Sequence, residues 1–150
     1  MRFSAKRKEI GDKAEREFAN HSDVEVIRHA TQEEDMYLHF DMIVDMGFGK
    51  IYTDVKSFNP NRKFTDQAYI EIKNNYGFKG WSTPNAIRDR YVTWERAEDW
   101  VTVHVDIINE IIASGEFEPK SYAYESVLMM VPFSLLEERA TKVIKKEQGA

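Results

Sequence analysis

The sequence predicts an α/β protein in which a central mixed β-sheet is flanked by helices. Three observations predict this class: an amphipathic helix pattern near residue 1, strand-like runs in the middle, and helix patterns again after residue 106. The chain has 150 residues, of which 42% are hydrophobic and 31% charged, values that are ordinary for a globular protein. We therefore expect a single domain over residues 1–150.

The first half of the chain gives a clear order of elements. A helix is expected over residues 4–20, because Ile10, Ala14 and Phe18 recur at four-residue spacing and form an apolar stripe. Expected next are a strand at 24–27, a polar loop at 31–35, and two strands at 38–46 and 50–57 joined by a glycine-containing turn at 47–49.

The second half continues with strands and ends with helices. Strands are expected at 69–73, 91–94, 100–105 and 127–131, with a glycine-bearing loop at 74–81. Asp106 is expected to cap a short helix at 107–114. The spacing of Ser134 and Glu137 matches a capping box and predicts a last helix to residue 146.

Composition excludes several kinds of site and location. The absence of cysteine excludes disulfides, thiolate zinc sites and cysteine nucleophiles. Residues 1–8 lack the apolar run of a signal peptide, and no apolar span is long enough to cross a bilayer. We therefore expect a cytoplasmic protein with no membrane partner.

Charge is distributed unevenly along the chain. A net charge of −5 argues against a nucleic-acid binder that depends on electrostatics alone. Residues 50–96, however, hold nine Lys and Arg against five Asp and Glu, and they hold nine of the nineteen aromatic residues. This basic, aromatic segment begins at the second of the two turn-linked strands.

Those two strands carry the most informative residues of the chain, Asp41 on the first and Asp54-Val55-Lys56 on the second. Alternation puts Asp54 and Lys56 on one face of their strand, about 6.5–7 Å apart at Cα. Two converging acids are suited to hold a divalent cation, and a neighbouring lysine can position water or offset developing negative charge. Asp45 competes with Asp41 on the same face, but Asp45 lies nearer the turn.

The order of Glu15 on the first helix, Asp41, and then Asp54-Val55-Lys56 resembles the PD-(D/E)XK nuclease superfamily. The chain is also similar to small phage-encoded nucleases of this type at residues 11–15, 69–74, 80–81, 90–94 and 131–136. It departs from the family at Phe40, which replaces the proline that names the motif.

The resemblance implies a restriction-endonuclease-like three-layer sandwich and hydrolysis of DNA phosphodiester bonds, with endonuclease action expected. It implies Mg²⁺ or Mn²⁺ bound by Asp41, Asp54 and Glu15, with Lys56 positioning the attacking water. Glu17 is an alternative to Glu15, since the two lie about 200° apart round the helix and only one can face the strands. If the chain is phage-encoded, its location is the host cytoplasm.

Further polar residues are candidate contacts to nucleic acid. The expected phosphate contacts are Arg62, Lys63, Lys79, Arg88 and Arg90, with Gln67 and Lys73 as additional candidates. For each of these, a solvated surface position is the alternative. Glu71 and Lys73 either extend the site from a neighbouring strand or form an ordinary salt-bridged strand face.

Other functions stay open. A junction resolvase of the same superfamily, cutting Holliday junctions or other branched DNA, would share every motif. A non-catalytic nucleic-acid-binding protein on the same fold and a phage factor that binds a host protein are further possibilities. The sequence also leaves open DNA or RNA preference and whether the protein acts as a homodimer.

Overall fold

The structure of the protein is a computed structural model that describes residues 5–60, 65–73, 87, 89–121 and 127–147. The glycine-bearing loop expected at 74–81 lies outside these residues. None of the helices in the described ranges is both long and apolar enough to cross a membrane.

The central element is a six-stranded mixed sheet. In spatial order its strands are β1 (Glu25–His29), β2 (Met42–Asp45), β3 (Lys50–Lys56), β5 (Arg90–Glu95), β6 (Asp99–His104) and β9 (Lys142–Lys145). Strands β3 and β5 run parallel, and the other neighbouring pairs run antiparallel. The α/β class with a mixed sheet is therefore confirmed.

A second, three-stranded antiparallel sheet covers one face of the central sheet. It consists of β4 (Gln67–Lys73), β8 (Val127–Pro132) and β7 (Lys120–Ser121), in the order β4-β8-β7. Together with α3 (Val105–Ala113) and α4 (Phe133–Glu138), it packs against apolar side chains of β5 and β6. Helices flank the central sheet as expected, and on this side they are joined by strands, since β4 and β8 bury alternate residues against the central sheet rather than joining it.

The opposite face of the central sheet is covered by α1 (Ala5–Ala19). Ala14 and Phe18 are buried there, as the apolar stripe predicted, and the Phe18 and Trp100 rings lie 5.3 Å apart. Burying these side chains leaves the polar faces of α1 in solvent. The central sheet thus lies between a helix on one side and a layer of strands and helices on the other.

The loop expected at 31–35 is instead the start of α2 (Gln32–Leu38). Thr31 caps this helix by accepting a hydrogen bond from the Glu34 amide, and the Glu34 carboxylate accepts one from the Thr31 amide. This reciprocal capping box forms a helix without any buried residue. Because α2 runs to Leu38, strand β2 begins at Met42 rather than at residue 38.

Two expectations in the second half were also wrong. The cap of α3 is His104, whose Nδ1 accepts the amide of Asp106 at 2.9 Å, so Asp106 lies inside the helix. The last helix ends at Glu138, and residues 142–145 form the edge strand β9. The β-branched pair Val143 and Ile144 favours a strand, and Ile144 is buried.

Candidate active site

The backbone of Asp41 is bonded to β3 immediately before β2 begins. Its amide donates to the Thr53 carbonyl at 2.8 Å, and its Oδ2 accepts the Val55 amide at 2.7 Å. Since Met42 pairs with Thr53 in the antiparallel ladder, Asp41 lies beside Asp54 on the neighbouring strand. The first two motif acids are therefore brought together by strand register.

Asp54 and Lys56 point to the same side of β3. They lie beside Val92 and Trp94 of β5, whose side chains belong to the core under the small sheet. Lys56 Nζ is 3.0 Å from Asp54 Oδ2. Asp54 is buried, whereas the Lys56 side chain keeps 36% of its surface exposed.

Glu15 reaches the same place from α1 and hydrogen-bonds the carboxyl group of Asp41. Glu17, the alternative helix acid, is exposed and lies 3.7 Å from Lys13 in an ion pair along the helix. Of the two glutamates, the structure therefore brings Glu15 to the strands. Asp45 lies at the far end of β2, where its Oδ1 accepts the amides of Gly47 and Gly49.

A fourth acid, Asp35, joins this site from α2 and also hydrogen-bonds Asp41. Sequence reasoning missed it because residues 31–35 were expected to be a loop. The signal that could have found it is the Thr31 to Glu34 capping-box spacing, which fixes the first turn of α2 and places Asp35 directly after it. We call Glu15, Asp35, Asp41 and Asp54 the carboxylate cluster.

The acids of the carboxylate cluster oppose one another's ionisation. Burial, followed by the charge of Asp54, a hydrogen bond with Asp54 and the charge of Glu15, raises the pKa of Asp41 far above its usual value. Burial also raises the pKa of Glu15, and burial followed by the charge of Asp54 raises the pKa of Asp35. Asp41 therefore keeps a proton at neutral pH unless a bound cation replaces that proton.

Lys56 is held in its charged form. Burial alone would lower the pKa of Lys56, but the charge and hydrogen bond of Asp54 outweigh burial, with help from the charges of Asp41 and Glu71. The net effect raises its pKa above the usual value. Glu71 of β4 therefore acts on the site electrostatically, while the side chain of Lys73 lies outside the described part of the chain.

His39 links α2 to Asp41 in an unusual backbone conformation. Its φ of 57° and ψ of 52° are left-handed, and among the described residues it is the only non-glycine residue with positive φ. Its side chain is half-buried, and burial followed by the charge of Arg90 lowers its pKa. The imidazole is therefore neutral at physiological pH, within electrostatic range of Asp54 and Lys56.

Two of the expected nucleic-acid contacts lie elsewhere. Arg90 is only 3% exposed, and its Nη1 is 3.4 Å from the Leu38 carbonyl, so its guanidinium does not lie at a surface open to phosphate. Gln67 lies at the other end of β4 from Glu71, about 13 Å away along the strand. There it borders a cavity of about 300 Å³ together with Phe117, Glu118, Lys120, Leu128 and Met130. Arg62, Lys63, Lys79 and Arg88 lie outside the described residues.

The cluster fits a hard divalent cation by the chemistry of its donors. Carboxylate oxygens are the protein ligands that Mg²⁺ and Mn²⁺ prefer, and zinc would favour nitrogen or sulfur. Within the described ranges, no three His, Asp or Glu side chains are already arranged as a metal-binding group. The acids hydrogen-bond one another instead, so binding of a cation requires loss of the shared proton and rearrangement of the side chains.

Comparison with family models, curated proteins and solved structures found no significant match to this chain. The resemblance to the PD-(D/E)XK superfamily therefore depends on the motif residues and remains a prediction.

Proposed function

We propose that the chain is a metal-dependent nuclease that hydrolyses DNA phosphodiester bonds on a restriction-endonuclease-like fold. One observation carries the proposal: Glu15, Asp41, Asp54 and Lys56 gather from a helix and two strands into a single cluster. Asp41 and Asp54 come from adjacent strands, and Glu15 comes from the helix on the other face of the sheet. This is the set of residues that the family resemblance assigns to metal binding and water positioning.

Asp41, Asp54 and Glu15 would hold Mg²⁺ or Mn²⁺. When bound, such an ion polarises the scissile phosphate and lowers the pKa of a water molecule. The carboxylates supply negative charge that keeps the ion in place, and the Val55 amide fixes the orientation of the Asp41 carboxyl group. Without the ion, burial and the neighbouring acids raise the pKa of Asp41 and so favour its protonated form.

Lys56 contributes positive charge rather than proton abstraction. Its raised pKa keeps it protonated at neutral pH, so it is a poor general base. Its ammonium group lies 3.0 Å from Asp54 Oδ2, and we expect it to donate a hydrogen bond to a phosphate oxygen or to the attacking water when substrate is bound. This supports the water-positioning role over the role of a base.

Incubation of purified protein with supercoiled plasmid tests the proposal directly. Nicked and linear circles are expected in Mg²⁺ or Mn²⁺, and no product is expected in EDTA. Degradation from the ends of linear DNA, with intact circles, would assign exonuclease rather than endonuclease action. No cleavage of circular, linear, single-stranded or branched DNA in either metal would contradict the proposal.

Two lysines of β3 give a matched pair of variants. Lys56→Met removes the charge beside Asp54, and we expect cleavage to slow by about a thousandfold. Lys50→Met removes an exposed charge at the other end of the strand, where Nζ lies 5.6 Å from the Tyr52 ring centroid, and activity should change by less than about twofold. Circular dichroism checks that both variants fold. Equal activity of Lys56→Met and wild type would overturn the role assigned to Lys56.

A further inference from the structure

Helix α2 lies against the protein through polar contacts, and one of these contacts is with the carboxylate cluster. None of the residues of α2 is buried. Glu34 makes a two-pronged ion pair with Arg28 of β1, at 2.6 and 2.7 Å, and the Leu38 carbonyl accepts a 3.4 Å hydrogen bond from β5. Partly exposed ion pairs contribute little to stability. The hydrogen bond between Asp35 and Asp41 therefore adds to a set of contacts that are individually weak.

Asp35 differs from the other acids of the carboxylate cluster in its exposure. Asp54 is buried. Glu15 and Asp41 are partly buried, whereas a larger part of Asp35 is exposed. Asp35 nevertheless hydrogen-bonds Asp41, and it lies within electrostatic range of Asp54 and Lys56. It therefore lies on the solvent side of the cluster, from which a hydrated cation enters.

The contact between Asp35 and Asp41 brings two carboxyl groups close enough to share one cation. Oxygen atoms that share a proton lie about 2.5–3.0 Å apart. Neighbouring oxygen ligands of an octahedral Mg²⁺ lie about 2.9 Å apart, because each is about 2.1 Å from the ion. A cation that replaces the proton on Asp41 is therefore within reach of the Asp35 carboxylate.

The other two acids of α2 have different surroundings. Glu34 is engaged by Arg28. Glu33 is exposed and lies two residues before Asp35, about 200° round the helix axis, so its carboxylate is directed away from the cluster. Since the affinity of an oxygen site for a divalent cation rises with the number of charged ligands, Asp35 is the acid of α2 that can strengthen binding.

We propose that Asp35 is a further residue that holds the divalent cation of the carboxylate cluster, and that the bound cation tethers α2 to β2 and β3. Without the cation, a hydrogen bond links Asp35 to Asp41. With the cation, both carboxylates are attracted to the same positive charge, so α2 is held more firmly. This inference rests on the proposed function, because it assumes a cation at the cluster. It adds a residue that the family resemblance does not assign.

Calorimetric titration of Mn²⁺ into the metal-free full-length protein tests the inference without DNA or cleavage. Asp35→Asn keeps the shape of the side chain and removes its charge, so its Kd for Mn²⁺ should rise by about 10- to 100-fold. Asp35→Glu keeps the charge and should recover most of the affinity. Glu33→Gln removes an equal charge from the same helix and should change Kd by less than about threefold, since solvent screens it. Circular dichroism checks that the variants fold.

Hydrogen exchange of the backbone amides of α2 measures the tether itself. In the wild-type protein, these amides should exchange about five- to tenfold more slowly in saturating Mg²⁺ than in EDTA, because opening of the helix then breaks a contact with the cation. The slowing should be absent in Asp35→Asn and retained in Glu33→Gln. The amides of β9, on the far edge of the central sheet, report any change in the stability of the whole protein.

Three outcomes would overturn the inference. The first is equal affinity of Asp35→Asn and the wild-type protein for Mn²⁺. The second is an equal loss of affinity in Asp35→Asn and Glu33→Gln, which would show a general effect of charge. The third is equal slowing of exchange in Asp35→Asn and the wild-type protein. Metal-dependent plasmid cleavage alongside any of these leaves the proposed nuclease in place, whereas a wild-type protein that neither binds Mn²⁺ nor cleaves DNA contradicts the proposed function itself.

Discussion

Asp41 lies just before the short strand β2 and Asp45 ends it, and their carboxyl groups have different neighbours. Oδ1 of Asp45 accepts the Gly47 amide at 2.7 Å and the Gly49 amide at 3.3 Å, so two backbone donors stabilise its carboxylate within the turn. Asp41 accepts one amide, from Val55 at 2.7 Å, and its other close partners are acids. One aspartate stabilises a turn, and the other needs a proton or a cation.

The glycines at the turn explain why Asp45 is so well satisfied. Gly47 and Gly49 have φ values of 100° and 106°, a conformation that other residues adopt with strain. These angles direct two amides at one carboxylate oxygen. Two aspartates at the two ends of one strand thus differ, because Asp45 stabilises a turn whereas Asp41 has the metal-binding role that we propose, and the backbone around the two residues differs.

The largest effect expected from this comparison is on DNA cleavage. Asp41→Asn keeps the shape of the side chain but removes a charge that would hold the metal, so the cleavage rate should fall by about a thousandfold. Asp45→Asn removes a charge that binds only the turn, and its rate should stay within about threefold of wild type. Plasmid nicking under equal Mg²⁺ concentrations measures both. A greater loss in Asp45→Asn than in Asp41→Asn would reverse the assignment of the metal-binding acid.

Local patterns of the sequence were enough to predict the α/β class and many of the helices and strands. The apolar stripe of α1, the alternation of β3 and the glycines at the turn each act within a few residues, so they can be read without the tertiary structure. The shared face of Asp54 and Lys56 follows from alternation alone, and their charged groups lie 3.0 Å apart. These features are decided by backbone geometry.

Features that depend on distant contacts were not predicted. Residues 142–145 form an edge strand because β6 offers unpaired backbone groups there, which a helix-like capping pattern at Ser134 does not reveal. Asp35 belongs to the site because α2 lies beside Asp41. The helix buries no residue, so no apolar stripe in the sequence predicts it. Arg90 was expected at the surface, but its position in the sheet buries it.

The second effect is on the free energy of unfolding, which we expect to change in opposite directions in Asp41→Asn and in Asp45→Asn. Asp41→Asn removes an acid that burial and neighbouring charges disfavour, so the free energy of unfolding in EDTA should rise by about 1–2 kcal/mol at neutral pH. Asp45→Asn replaces charge-assisted hydrogen bonds with weaker ones and should lower it by about 0.5–1 kcal/mol. Urea denaturation measures both values. If both variants are destabilised equally, the carboxylate cluster is not under electrostatic strain.

The third effect is a pH dependence of stability, for which the sign follows from proton binding. The pKa values of Glu15, Asp35 and Asp41 are all raised in the folded protein. At a pH above the usual pKa values of these three acids, the folded protein therefore holds protons that the unfolded chain has released. Stability from these groups is fully present below the unfolded pKa and is lost as pH rises through the folded pKa, so unfolding should become easier at higher pH.

The window from about pH 7 to pH 9 isolates this effect, because other shifted groups do not change there. Burial lowers the pKa of His39, so its imidazole is neutral in the folded and in the unfolded protein. Lys56 is charged in both, because its pKa in the folded protein is raised above its already high usual value. In EDTA, one proton held only by the folded protein lowers the free energy of unfolding by about 1.4 kcal/mol per pH unit, so the wild-type value should fall by about 2–3 kcal/mol across the window. Asp41→Asn should flatten this slope, and Asp45→Asn should keep it. Saturating Mg²⁺ should also flatten the slope in the wild-type protein, since a cation bound at the carboxylate cluster replaces the proton. If the slope of Asp41→Asn in EDTA equals that of the wild-type protein, the shared proton is not held by Asp41.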